Sequence, residues 1–219
     1  MTARVYTYIG AGGKTTSIFA RARQERNAGR RVAVVTTTHM KRPADWFVAA
    51  DLPIGWQAQW QRAGIVVVGR EGTDGKITWP GHDVYFRLCQ AADIVLVEGD
   101  GSRRLPLKVM ASHEPVIPAN SDEVYCLAGL SALGRTVRET CFRWELLGLA
   151  PEAVVTEPML AHIVEAGCLR RIGPWLVKTS VVLNQADNER RRLAGKRILN
   201  YLSRPGILTT YPVEMRETK

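Results

Sequence analysis

Apolar residues along this chain gather into short, mostly unbroken runs at residues 5–9, 31–35, 65–69, 93–97, 124–127 and 180–183. Runs of that length without alternation predict strands buried on both faces, as in a parallel sheet. Helical spacing fills most of the intervals. Residues 14–29 place Ile18, Phe19 and Ala22 on one face and arginines on the other, with Gly29 as the stop. Further helices are predicted at 82–91, 157–167 and 188–203, the last with Ala194, Ile198, Tyr201 and Leu202 on one face. Strand, helix, strand in succession is a βαβ unit with a right-handed crossover. The expected fold is therefore α/β, a mostly parallel sheet flanked by helices. A small hairpin about Asp74 and Gly75, within 73–80, makes an excursion from it, and a short strand at 207–210 closes it. Residues 41–64, rich in Trp and Gln with Pro43 and Pro53, yield no assignment.

The polar positions change the picture where they follow these runs. After the first strand come Gly10, Ala11, Gly12, Gly13, Lys14, Thr15 and Thr16. Glycines let backbone N–H groups turn inward, and a helix starting at Lys14 aims its positive dipole end at the same point. That is a cradle for phosphate: Lys14 supplies a point charge, and the Thr15 hydroxyl suits Mg²⁺. The full pattern G-x-x-x-x-G-K-[ST] has glycine where Tyr8 stands, so the second half alone is kept. The shorter form resembles the loop of the signal-recognition and nickel-chaperone GTPases and of the Mur amide ligases, which implies a P-loop NTPase-like fold.

Three other polar segments also follow predicted buried strands: 36–39, 98–104 and 184–187. In an open parallel sheet the carboxyl ends of the strands share one rim, where ligands bind. Glu98 has the position of a carboxylate that orders Mg²⁺ or aligns water, and Asp100 is its rival. Lys14, Glu98 and Asp100 are thus the catalytic candidates. Thr15, Glu98 and Asp100 are the metal candidates. Asn184-Gln185-Ala186-Asp187 resembles N-K-x-D, in which the aspartate accepts from two guanine N–H groups and the asparagine braces the loop. Asp187 favours GTP over ATP, while Gln185 replaces the lysine that covers the base. Thr38, His39, Ser102, Arg103 and Arg104, with His113 and Glu114 of a proline-rich loop, are candidates for holding a substrate.

Composition narrows the function class. The 219 residues, 46% hydrophobic and 23% charged, suit one globular nucleotide-binding domain spanning 1–219. A net charge of +9 arises from scattered basic clusters without an aromatic RNA-binding motif, which argues against nucleic acid as partner and for polyphosphate or an acidic partner. No apolar run approaches a membrane span and no signal-peptide pattern opens the chain, so a cytoplasmic protein is expected. Cys89, Cys126, Cys141 and Cys168 lack metal-ligand spacing.

The segments GAGGKTT, VVTTTHM, VLVEGDGSRRLPLK, HEPVIP and VVLNQAD, in this order, resemble the YqeC-like family, accessory proteins of selenium-dependent molybdenum hydroxylases. Glu98-Gly99-Asp100-Gly101-Ser102 stands where that family has E-A-D-G-S, and both acids are kept. The resemblance implies a nucleotide-dependent maturation factor that acts on a selenium- or molybdenum-containing cofactor or its target enzyme. The expected activity is GTP or ATP hydrolysis with Mg²⁺. A small-molecule kinase or ATP-dependent ligase, and a nucleotide-gated binding module without turnover, are the alternatives.

Overall fold

The computed structural model describes residues 2–211. Its strands are β1 (Arg4–Gly10), β2 (Val32–Thr36), β3 (His39–Lys41), β4 (Phe47–Ala49), β5 (Ile65–Glu71), β6 (Lys76–Thr78), β7 (Ile94–Glu98), β8 (Leu107–Lys108), β9 (Glu123–Gly129), β10 (Cys141–Phe142), β11 (Thr179–Asn184) and β12 (Gly206–Leu208). The α-helices are α1 (Lys14–Asn27), α2 (Pro53–Ala63), α3 (His82–Ala91), α4 (Val137–Thr140), α5 (Glu157–Gly167) and α6 (Glu189–Leu199). Among the described residues ten strands form one sheet in the order β12-β11-β9-β1-β7-β2-β5-β6-β3, with β4 also on β5. Every pairing from β12 to β5, and that of β4 with β5, is parallel.

Both faces of the central strands are covered, which is why their sequences do not alternate. Val32, Val34, Ile65, Val67, Ile94 and Leu96 point to the side where α1 lays Ile18, Phe19 and Ala22. Their neighbours Ala33, Val35, Val66, Val68, Val95 and Val97 point to the other side, against Trp56 and Trp60 of α2 and Tyr85 and Leu88 of α3. A third cluster joins β9 and β11 to α5 and α6 through Val124, Cys126, Val181, Leu183, Leu160, Ile163 and Ile198.

Helix α1 ends at Asn27, with Gly29 at φ 78° two residues beyond. The stretch 41–64, without assignment from its pattern, holds β4 and α2. In α2 the two tryptophans stand one turn apart, Trp60 donates its indole N–H to the Val32 carbonyl at 2.9 Å, and Gly64 at φ 69° stops the helix. The hairpin about Asp74 and Gly75 forms, with both residues at positive φ as a tight turn requires. Strand β3 pairs antiparallel on its outer side, so the hairpin continues the sheet edge. None of the helices among the described residues is long and apolar enough to cross a membrane.

Candidate functional site

Strand β1 ends at Gly10, and α1 begins after three intervening residues. Gly10, Gly12 and Gly13 all take positive φ, at 87°, 82° and 116°. At each of them a Cβ would also clash: on Gly10 it would lie 2.3 Å from the Leu127 carbonyl oxygen, on Gly12 2.4 Å from the Gly129 nitrogen, and on Gly13 2.5 Å from Asn184 Nδ2. The turn is fastened by backbone bonds from Ala11 N–H to Leu127 O at 2.9 Å and from Gly12 N–H to Leu105 O at 3.2 Å. Gly13 is the N-cap of α1, and the first intrahelical bond runs from Ser17 N–H to Gly13 O. The amides of Gly13, Lys14, Thr15 and Thr16 therefore head the helix without intrahelical partners, a ready anion site.

Side chains from the neighbouring strands close on this turn. Lys14 is buried; its Nζ donates to Gly10 O at 2.6 Å and pairs with Asp100 Oδ1 at 2.9 Å. Burial works to lower its pKa, but the charges of Asp100 and Glu98 hold it above the ordinary lysine value. Asp100, fully buried, accepts from Gly10 N–H at 2.9 Å and also pairs with Lys108 Nζ at 3.2 Å. Thr15 donates its hydroxyl to Glu98 Oε2 at 3.0 Å. Burial pushes the Glu98 carboxyl up, against the pull of Lys14 and the Thr15 hydrogen bond. A carboxylate that pays for its charge in this way, next to a hydroxyl, is a hard-oxygen pair suited to a divalent cation.

Other predicted residues divide between this centre and its margins. Thr36 donates to the Glu98 carbonyl at 3.2 Å and Thr37 to the Val116 carbonyl at 2.8 Å, which ties the end of β2 to the end of β7. Among the described residues the buried Thr38 hydroxyl has no hydrogen-bond partner, and His39 is exposed at the start of β3. Asn184 donates from Nδ2 to Gly12 O at 2.8 Å, so it braces the turn, and it accepts from Thr209 at 3.1 Å. Asp187 accepts from Thr210 at 2.7 Å and pairs with Arg191 at 3.4 Å. Gln185, at φ 66°, bonds Ser131 at 2.5 Å. Ser102 is half-buried, and Arg103, Arg104 and His113 are exposed. A cleft of about 600 Å³ opens one residue past Asp187, lined in part by Leu133, Thr156, Asn188, Arg190 and Arg197.

Sequence reasoning missed how far the ionic centre extends. Lys108 is buried and meets Asp100, the Gly101 carbonyl at 2.6 Å and Glu114 at 2.8 Å. Glu114 also pairs with Arg143, which no motif contains. A lysine inside the apolar run Leu105-Pro106-Leu107-Lys108-Val109-Met110 was the available signal, since a charge there needs buried partners.

Burial works to raise the Glu114 pKa, but Lys108 and Arg143 outweigh it and hold the carboxyl below its ordinary 4.5. A depressed carboxylate stabilises the fold above the unfolded-state pKa, and that contribution vanishes as pH falls through the folded-state value. Glu114→Gln is therefore expected to unfold at lower urea than the parent at pH 7. The gap should start to narrow as pH falls past about 4.5 and close only once pH has dropped through the depressed folded-state pKa, where both are neutral, in unfolding curves taken at each pH.

Two solved structures are similar to this chain in outline. FtsY from Mycoplasma mycoides aligns over 93% of this chain and 58% of its own, at 13% identity and a TM-score of 0.47. The hydrogenase maturation factor HypB from Archaeoglobus fulgidus aligns over 95% and 81%, at 11% identity and a TM-score of 0.46. The chain thus spans well under two thirds of that FtsY chain. In sequence, it is 33% identical over 171 residues to the protein of Escherichia coli (strain K12) described as "Uncharacterized protein YqeC", covering 73% of this chain and 67% of the relative. Residues 6–145, which include the glycine turn, Glu98, Asp100, Lys108 and Glu114, match the family described as "YqeC protein". The chain belongs to the YqeC family.

Proposed function

We propose that this protein is a Mg²⁺-dependent nucleoside triphosphatase of one nucleotide-binding domain, with GTP favoured over ATP. The observation that carries the reading is the meeting of Lys14, Thr15, Glu98 and Asn184 at the first turn of α1. In this reading the amides of Gly13–Thr16 and the Lys14 ammonium hold the phosphates. Thr15 and Glu98 would hold Mg²⁺, which would supply charge neutralisation at the phosphates. Glu98 also aligns the attacking water. Asp100 keeps Lys14 charged in the unliganded protein, and is the rival of Glu98 for the metal. Asn184 fixes the turn, and Asp187, once released from Thr210 and Arg191, reads the base; a guanine offers it two donors and an adenine does not.

The client in this proposal is a selenium- or molybdenum-containing cofactor or the hydroxylase that receives it, acted on in the cytoplasm. It is supported by family membership and by the family's implied role, and it fits an anionic cofactor better than a nucleic acid. Isothermal titration with GTP and with ATP, each with and without Mg²⁺, tests the nucleotide half. Tight Mg²⁺-dependent binding, weakened at least 100-fold in Lys14→Ala, is expected. Absence of any nucleotide binding by the folded parent protein ends the reading. Pull-down of a molybdenum hydroxylase that varies with the bound nucleotide tests the client.

A further inference from the structure

Arg103 and Arg104, on the flank of the glycine turn, make no contact described so far, and Arg143 beside them has only its pair with Glu114. Arg103 follows β7 on the loop that crosses the turn, and Arg143 follows the two-residue strand β10, which pairs with β8. Their guanidinium carbons lie 4.9 and 4.5 Å from the centre of the Phe142 ring. Lys108 Nζ lies 5.9 Å from the same centre and 3.2 Å from Asp100, which in turn holds Lys14. The ring is therefore separated from the cradle lysine by only Asp100 and Lys108. Arg103, Arg104 and Arg143 all sit in the left-handed backbone region, at φ 49°, 63° and 61°. For a non-glycine residue that conformation costs about 1–2 kcal/mol, and here it turns the chain so that two guanidinium forks share one ring.

The local charge does not balance. Arg143 and Lys108 share Glu114, Lys108 and Lys14 share Asp100, and Glu98 is the third carboxylate beside these lysines. Arg103 and Arg104 make no ion pair among the described residues. At least two positive charges are left facing solvent beside the cradle. Guanidinium forks match the paired oxygens of a tetrahedral oxyanion, and two forks held against one ring lose little freedom on taking it.

We propose that the corner formed by Arg103, Phe142 and Arg143 is a second anion site, which takes a small molecule through a phosphate group while the glycine turn holds the nucleotide. That this molecule is the co-substrate rests on the nucleotide reading above; the anion site itself does not. The ligand class is thus a phosphorylated metabolite or cofactor, bound on the side of the turn where the terminal phosphate of a nucleotide would meet Lys14.

The probe is inorganic phosphate, titrated calorimetrically into protein saturated with Mg²⁺ and a non-hydrolysable triphosphate. One phosphate per chain is expected to bind, at least tenfold more weakly in Arg103→Ala and in Arg143→Ala, with triphosphate affinity in Arg103→Ala within twofold of the parent. No phosphate uptake by the saturated protein, or equal uptake by both variants and the parent, overturns the proposal. If the protein binds no triphosphate, the same titration is run on the free chain. Uptake lost in Arg103→Ala and kept in Lys14→Ala then upholds the corner, and any other pattern sinks it. Arg103 is exposed and its one described contact is with the Phe142 ring, so its removal leaves the fold intact.

Discussion

Asp100→Asn is expected to lower the stability of the unliganded protein by about 3 kcal/mol, because a buried ion pair that loses one partner leaves the other charged and uncompensated. Here two lysines lose it, Lys14 and Lys108, both buried. For a chain of this size that loss corresponds to roughly 6–12 °C in melting temperature. Nucleotide binding should move the opposite way. The Asp100 carboxylate occupies Gly10 N–H and the Lys14 ammonium, a backbone donor and a cation of the kind a phosphate oxygen seeks. Two unit charges about 4 Å apart interact by ~1–4 kcal/mol at effective dielectric constants between water and a protein surface. Removing the resident charge should therefore tighten triphosphate binding by roughly tenfold. Thermal melts together with isothermal titration read both effects. The same variant separates two roles: if Asp100 were instead a ligand of the metal, triphosphate affinity would fall and lose its Mg²⁺ dependence.

Gly12→Ala should cost at least ~3 kcal/mol and deplete soluble protein, and Gly134→Ala about 1 kcal/mol. The two glycines share nearly the same backbone angle, φ 82° and 80°, so the torsional penalty is common to both. They differ in space. A Cβ at Gly12 meets the Gly129 nitrogen at 2.4 Å and the Pro106 carbonyl oxygen at 2.9 Å, both backbone, whereas at Gly134 nothing lies within 4 Å. Urea unfolding of the pair isolates the steric part as the difference between them. Equal losses would mean that the turn yields easily and that its tight packing contributes nothing.

The centre of the sheet was legible because its strands are buried on both faces and their apolar runs end abruptly in polar residues. Thr15, Glu98, Thr36 and Asn184 could be placed on one rim for that reason, and the contacts of Thr15 with Glu98 and of Asn184 with Gly12 bring them together. Helix α2 was not legible. Its buried face rests on Trp56 and Trp60 with Gln59 among them, so polar residues blur the apolar spacing. Strands β8 and β10 have two residues each, too few for any period to register. What they carry, Lys108 and the Phe142–Arg143 pair, could be recognised as a site only once the chain had brought residues some 35 positions apart side by side.

One primary amide, that of Asn184, grips the glycine turn through Gly12 and, on its other side, receives Thr209, the residue just after the last strand among the described residues. A displacement of that strand's exit is thus conveyed to the turn across two hydrogen bonds. On the proposed nucleotide reading, a shift of that strand's exit would alter the grip of the turn on its ligand without any contact to the ligand itself.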